Sequence, residues 1–204
     1  MRLPLLILSL LLATITGGPA MATEEPPFAV EMRSGNCEIR QYPQLVAAEV
    51  VVEGSAAEAT NSGFRMLAGY IFGGNTRRQS IAMTAPVIQA PSRGQSIAMT
   101  APVLQVANGN AWTIRFVMPR EHSLASLPIP NDQRVHLKTL PPARYAVIRF
   151  SGLTGTRAVE QRTRELRAFL VAHNLAASGP PQLARYDPPW TPWFMRRNEV
   201  LIPL

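Results

Sequence analysis

Pro43-Gln44-Leu45-Val46-Ala47-Ala48-Glu49-Val50-Val51-Val52-Glu53-Gly54 and, 98 positions later, Pro141-Pro142-Ala143-Arg144-Tyr145-Ala146-Val147-Ile148-Arg149-Phe150-Ser151-Gly152 are the two stretches on which the fold turns. Pro43 matches Pro141, Ala48 matches Ala146, Val50 matches Ile148, Val52 matches Phe150 and Gly54 matches Gly152. Each stretch reads as a strand of β-branched and aromatic residues that ends at its glycine. A helical pattern follows both. The chain therefore reads as two pseudo-repeated halves, about 36–118 and 134–204, each beginning strand then helix.

Working outward, Ser55-Ala56-Ala57-Glu58 spells a capping box. Phe64, Leu67, Ala68 and Ile71 then recur at helical spacing until Gly73-Gly74 ends the run. The second helix should start near Thr154 or Thr156 and reach about Asn174. Val159, Leu166, Phe169, Leu170 and His173 share one side of it, and Glu160 is spaced to pair with Arg164. Between the helices, Gln79-Ser80-Ile81-Ala82-Met83-Thr84-Ala85-Pro86-Val87 returns sixteen residues later as Gln95-Ser96-Ile97-Ala98-Met99-Thr100-Ala101-Pro102-Val103. Alternation predicts two near-identical strands, with Ile81, Met83, Ala85 and Val87 on one face of the first. Pro86 and Pro102 lack a ladder donor and call for edge positions or bulges. Trp112 to Met118 predicts a third strand, and a proline-rich link, Pro119 to Pro130, leads to the second half. The expected fold is α+β, a twisted antiparallel β-barrel or cradle with one long helix laid against each half.

With 204 residues, 47% of them hydrophobic and 16% charged, and one cysteine, the chain is an ordinary globular one. That composition excludes a disordered polymer, a disulfide scaffold and a zinc-ribbon array. The net charge is +7, and Lys138 is the single lysine. Arginine holds carboxylates and phosphates in a planar fork, so an anionic partner is physically reasonable. At the N-terminus, Arg2 precedes the apolar run Leu5 to Ala13, and Ala20-Met21-Ala22 supplies small residues. Residues 1–22 thus read as a secretory signal peptide. The mature domain, 23–204, would then cross the inner membrane to the periplasm, and no other stretch is long enough to span a bilayer.

Residues that could carry chemistry are sparse. There is no Gly-x-Ser-x-Gly elbow, and only Asp132 and Asp187 could orient a histidine, which argues against a hydrolytic triad. His122, His136 and His173 lie far apart, without His-Glu-x-x-His or Cys-x-x-Cys-His spacing. His136 reads as an exposed strand histidine and His173 as a helix-end residue. Cys37 reads as a free buried thiol. Met83 and Met99 read as core residues, with soft pocket walls as the alternative. Arg77-Arg78 and Arg196-Arg197 read as solvated surface. No nucleic acid partner is expected, because the arginines are not interleaved with stacking aromatics. The segment Ala184 to Val200 crowds Trp190, Trp193, Phe194 and Met195 into a proline-stiffened loop. Such a loop either closes over a flat apolar ligand or covers a barrel end.

Several motifs together carry a family resemblance. Glu38-Ile39-Arg40-Gln41-Tyr42, Gly69-Tyr70-Ile71-Phe72-Gly73-Gly74-Asn75, the Met-Thr-x-Pro-Val repeats, and Tyr186-Asp187-Pro188-Pro189 running to Arg196-Arg197-Asn198-Glu199-Val200 resemble the SOUL haem-binding protein family. The resemblance implies a cradle of two pseudo-equivalent halves and haem, or another porphyrin, held in an apolar cleft beside the first helix. It implies Phe64 and Ala68 against the macrocycle, with Asn61, Gly69 and Thr191 near the propionates. Animal members carry basic residues at those last three places, so Arg65, and after it Arg77, is the substitute anchor here. One branch has a histidine where this chain has Gln41, which leaves the iron ligand unassigned. The implied role is a tetrapyrrole carrier or buffer. The alternatives are an enzyme acting on a hydrophobic or tetrapyrrole-like substrate and a binding module for other apolar, cationic molecules, for which Glu49 or Glu53 would supply the acid.

Overall fold

The structure is a computed structural model that describes residues 24–91, 111–188 and 190–204. Residues 1–22 and the second Met-Thr-x-Pro-Val copy, Gln95 to Val103, lie outside the described residues. The elements run β1 (Ala29–Ser34), β2 (Cys37–Tyr42), β3 (Leu45–Glu53), α1 (Ala56–Ile71), β4 (Val87–Pro91), β5 (Ala111–Val117), β6 (His136–Leu140), β7 (Ala143–Ser151), α2 (Thr156–Ala172), β8 (Gln182–Arg185) and β9 (Arg197–Pro203), with a short 3-10 turn at Trp193–Met195.

The nine strands form one curled antiparallel sheet in the order β1-β2-β7-β9-β8-β4-β5-β3-β6. β3 and β7 are the two strands quoted above, and their bounds are offset by the same 98 positions. Each is followed by a glycine at positive φ, Gly54 at +118° and Gly152 at +110°, a region that residues with a Cβ rarely enter. This is why glycine closes both stretches. Each half also lends its opening strand to the other. β2 precedes β3 but pairs with β7, whereas β6 precedes β7 but pairs with β3. The halves meet where β4 pairs with β8.

Strand alternation sends side chains to two faces. On the outer face, α1 lies on β3 and β5, burying Leu67, Tyr70 and Ile71 against Ala48, Val50, Ile114 and Phe116. α2 lies on β7 and β9, burying Leu166 and Leu170 against Ile148, Phe150, Val200 and Ile202. Gly63 lets α1 approach β5, since a Cβ there would stand 2.5 Å from Ile114 Cγ1. The inner, concave face has a smaller cluster of Tyr42, Val147, Ala184 and Leu201, flanked by Phe28, Leu45, Ile88, Tyr145 and Tyr186.

Two expectations need correction. Gln79 to Val87 is not a strand: only Ser80 and Thr84 form isolated bridges, and β4 begins at Val87, after donorless Pro86. The Asn75 side chain replaces the missing ladder by donating to Tyr70 O and Gln79 O and accepting from Gln79 N–H. Ile81, Ala85 and Val87 are nonetheless buried, and Met83 packs on the first core. On α2 the ion pair that forms is Arg162–Glu165 at 2.7 Å, not Glu160–Arg164. In the loop from Trp190 to Met195 the four large apolar side chains are exposed.

Candidate functional site

α1 is set by Ser55, whose hydroxyl accepts from Glu58 N–H while the Glu58 carboxylate accepts from Ser55 N–H, so both halves of the capping box are present. With Leu67 and Ile71 facing the sheet, helical spacing lines Asn61, Arg65, Gly69 and Phe72 along the outward side. Asn61, Arg65 and Gly69 are exposed, and Phe72 is 68% exposed. Phe64 and Ala68 flank the strip, half-buried, and the Phe64 ring meets Phe116 edge-on at 5.3 Å. Nothing lies within 4 Å of where a Gly69 Cβ would be, so a flat group can approach the backbone there. Arg65 is exposed and has no carboxylate partner among the described residues, whereas the Arg77 guanidinium donates to Ser126 O at 3.2 Å.

Five of the six expected site residues, Asn61, Phe64, Arg65, Ala68 and Gly69, thus sit together on α1. Thr191 does not join them through this helix. It is half-buried in the aromatic loop, where its carbonyl accepts from Arg196 Nε at 2.8 Å. The adjoining 3-10 turn rests against β7, and β9, β8 and β4 separate β7 from β5 in the sheet.

A second recess lies on the concave face, lined by Phe28, Tyr42, Leu45, Ile88, Tyr145 and Tyr186 among others, with Arg115 at one side. Its volume is about 650 Å³ with the open mouth included. The recess is a narrow slot. Beneath it runs a buried polar network. Arg40 donates through both terminal nitrogens to Glu199 at 2.9 and 3.1 Å, Arg197 donates to the same carboxylate at 3.0 Å, and Tyr186 O–H donates to it at 2.6 Å. Burial opposes the charge on Glu199, but its Arg40 bonds prevail and hold the carboxyl below its ordinary range. Burial pushes the Tyr42 and Tyr186 phenols upward. At neutral pH these groups are a fixed carboxylate and two neutral phenols, all engaged, which is the reverse of an acid–base pair poised near pH 7.

Of the two acids proposed for a cationic ligand, one is already engaged. Glu49 is buried and held by Arg115 at 2.8 Å and by Lys138, and Glu53 is solvent-exposed. No group of three or more potential metal ligands occurs among the described residues. His136 is exposed on β6. His173 closes α2 with its ring 4.6 Å from Phe169, and Cys37 is buried, with its thiol pushed upward by desolvation. Sequence reading missed the concave network. The usable signal was Glu49 inside the apolar run Leu45 to Val52, whereas Arg40 and Glu199 stand beside other polar residues of their strands.

The sequence profile of the SOUL heme-binding protein family matches residues 23–93 and 89–203. The chain belongs to the SOUL haem-binding protein family. No protein with a curated description matches this SOUL chain in sequence. Among solved structures, the C-terminal domain of EcmrR aligns with a TM-score of 0.52 at 10% identity, over 82% of this chain and 95% of that one. EcmrR in its complex with DNA aligns at 0.58 and 8% identity, over 82% and 56% of the two chains. A hydrolase encoded by lin2189 from Listeria innocua aligns at 0.55 and 14%, over 82% and 91%. At these identities the likeness concerns the fold of the SOUL chain alone. No helix among the described residues is long and apolar enough to cross a membrane.

Proposed function

We propose that this protein binds haem, or a related tetrapyrrole, on the outward strip of α1 and acts as a carrier or buffer, working in the periplasm after removal of residues 1–22. The observation that carries the reading is the family profile, matched over residues 23–93 and 89–203. The geometry supports the location: Phe64, Ala68 and Phe72 offer apolar surface, and Gly69 leaves its backbone open. Asn61 and Arg65 stand at the edge, where a ligand's carboxylates remain in water.

Haem, when bound, supplies a redox-active iron and two carboxylates. The strip's own contribution is packing. At about 25 cal/mol per Å² of apolar surface removed from water, burying one face of a flat ligand gives useful affinity without an iron bond. α1 carries no histidine, Met66 packs on the first core, and Tyr70 is buried with its hydroxyl donating to Pro128 O at 2.9 Å. Binding by packing suits reversible handover better than electron transfer or oxygen activation.

Titration of haemin into residues 23–204, followed at the Soret band, tests this. Saturable binding at micromolar haemin is expected, and metal-free protoporphyrin should bind comparably. Ala68→Glu should weaken binding by about tenfold or more, since a carboxylate would be desolvated under the ligand. Ala143→Trp, which obstructs the concave slot, should leave it unchanged. Loss of binding in Ala143→Trp with none in Ala68→Glu would move the ligand to the concave face, and no saturable shift at all would end the proposal.

A further inference from the structure

One wall of the concave recess is built by the segment that leads into β1, Glu24-Glu25-Pro26-Pro27-Phe28. Glu25, Pro26 and Phe28 line that recess, and Glu24, Pro26 and Pro27 line a neighbouring one of about 480 Å³ with its mouth included. The two recesses also share Pro43, Leu45 and Val117, so they are one groove that this segment divides. Glu24, Pro26 and Phe28 are half-buried, whereas Glu25 and Pro27 are exposed. That is the period of an extended chain lying along a surface.

The segment crosses the concave face from the side of β4 and β5 to β2. Glu24 bridges Thr84, its carbonyl accepts from Ala85 N–H at 2.9 Å, and its carboxylate accepts from Arg120 N–H at 3.2 Å. The Glu25 carboxylate then accepts from Arg197 on β9 at 2.8 and 3.0 Å. On β2, Arg40 Cζ stands 4.2 Å from the centre of the Phe28 ring, which lies 5.4 Å from the Tyr42 ring. Charge is complementary here: Arg33, Arg40 and Arg197 are held by only two carboxylates of the strands, Glu38 and Glu199, and Glu25 supplies the third. Pro26 and Pro27 have no N–H to give, so side chains seat the segment and no ladder does, as in grooves that recognise proline-containing peptides. Its fastening is light. The Glu25 and Arg120 side chains are 41% and 81% exposed, and such ion pairs contribute little, so this segment opens well before the sheet does.

We infer that the concave groove is a peptide-binding groove which residues 24–28 fill in cis, as an autoinhibitory latch. The partner it fits is a protein carrying an extended acidic segment followed by proline and an aromatic residue, and that partner binds by displacing the latch. This does not depend on haem binding, because the groove lies on the face of the sheet opposite α1.

The test uses residues 23–204 and, as probe, the acetylated and amidated peptide of residues 24–28. In the double variant Glu24→Gln with Glu25→Gln, the latch is released while the far-ultraviolet spectrum stays unchanged. Hydrogen exchange at Ala85 N–H, which donates to Glu24 O, should then quicken at least about tenfold. Added peptide should shift the amide resonances of Ala85, Tyr42 and Arg197 of this variant saturably at millimolar concentration, less so as salt rises. The wild type should need at least about tenfold more peptide, because its own segment competes at high effective concentration. The same peptide with glutamine for both glutamates should bind more weakly, and Ala68→Glu should change nothing. Glu25→Gln alone repeats the measurement if the double variant loses its fold. Unchanged exchange at Ala85, no saturable shift in the released variant, or equal shifts from the glutamine peptide would overturn the inference.

Discussion

α1 and α2 occupy equivalent places on the two halves, yet their outward sides differ in kind. α1 turns Asn61, Arg65, Gly69 and Phe72 to solvent, whereas α2 exposes Arg157, Glu160, Gln161, Arg164 and Arg167. Their inward sides do the same job, burying leucines against paired strands. The duplicated frame therefore constrains what faces the sheet and leaves the outer surfaces free to diverge. On the proposed reading, a flat apolar ligand would find its surface on one half only, an asymmetric site on a pseudo-symmetric fold.

The exchanged strands sharpen the comparison on the concave face. β2 brings Arg40 to Glu199 and β6 brings Lys138 to Glu49, so each lent strand carries a cation to a carboxylate of the other half. Their surroundings differ: the Arg40 and Glu199 side chains are 4% and 0% exposed, and that of Lys138 is 56% exposed. Removing one partner of a buried pair costs about 3–5 kcal/mol, and an exposed pair contributes about 0–1 kcal/mol. Arg40→Met should thus lower the urea midpoint severely, toward the smaller end of that range because Arg197 remains on Glu199, and Lys138→Met should lower it much less, because the ammonium is half-exposed and Arg115 still holds the buried Glu49. The Arg40 effect is also pH-dependent. Glu199 is held below its ordinary 4.5, so its contribution is present above that value and is lost as pH falls through the lower folded one. The gap between wild type and Arg40→Met should narrow in acid, below pH 4.5, and equal costs for both variants would mean the halves are not electrostatically distinct.

Next in size is the seating of the helices. α1 packs more closely on its strands than α2 does, and Gly63 is the reason, with Ile114 and Val50 filling the space its Cβ would need. Gly63→Ala should destabilise by about 1–3 kcal/mol through overpacking. Thr163→Ala, at the comparable level of α2, should stay within about 0.5 kcal/mol. Thermal unfolding of both variants checks this, and a benign Gly63→Ala would show that α1 can shift outward without loss.

Much of this frame was legible because it rests on local chemistry. The 98-residue offset carried β3 and β7 to their bounds, since β-branched alternation and a positive-φ glycine leave direct marks in sequence. Ser55 to Glu58 did the same for the start of α1. Gln79 to Val87 misled because alternation of apolar residues was real, and Ile81, Ala85 and Val87 are buried, but a loop satisfied by the Asn75 side chain buries them as well as a strand would. The strand exchange was not legible, because pairing β2 with β7 is a long-range choice that no local pattern encodes. At the site, the five residues of α1 are what the family resemblance implies, and helical periodicity adds only which side of the helix each one takes. Thr191 belongs to another element, the loop before β9, and the place of that loop in the sheet order is not contained in the motif spacing.

The smallest contrast concerns how the two helices begin. Ser55 closes a reciprocal capping box, whereas α2 starts at Gly155, which makes no side-chain cap and has no acid in the first turn behind it. Gly155 has φ −64°, ordinary for any residue, and nothing stands within 4 Å of its Cβ position, so glycine is not required there. Ser55→Ala should cost about 1 kcal/mol, and Gly155→Asp should gain a few tenths, roughly the difference between glycine and a good cap plus the dipole interaction. Both are read as shifts in thermal midpoint at low salt, where the dipole interaction is least screened. A gain at Gly155 would mean that α2 is held by its packed face alone and that its N-terminus was left unoptimised. A loss would require the extended backbone at Gly155 to serve the turn from β7, placing a constraint in the second half where the first half, at Ser55, has none.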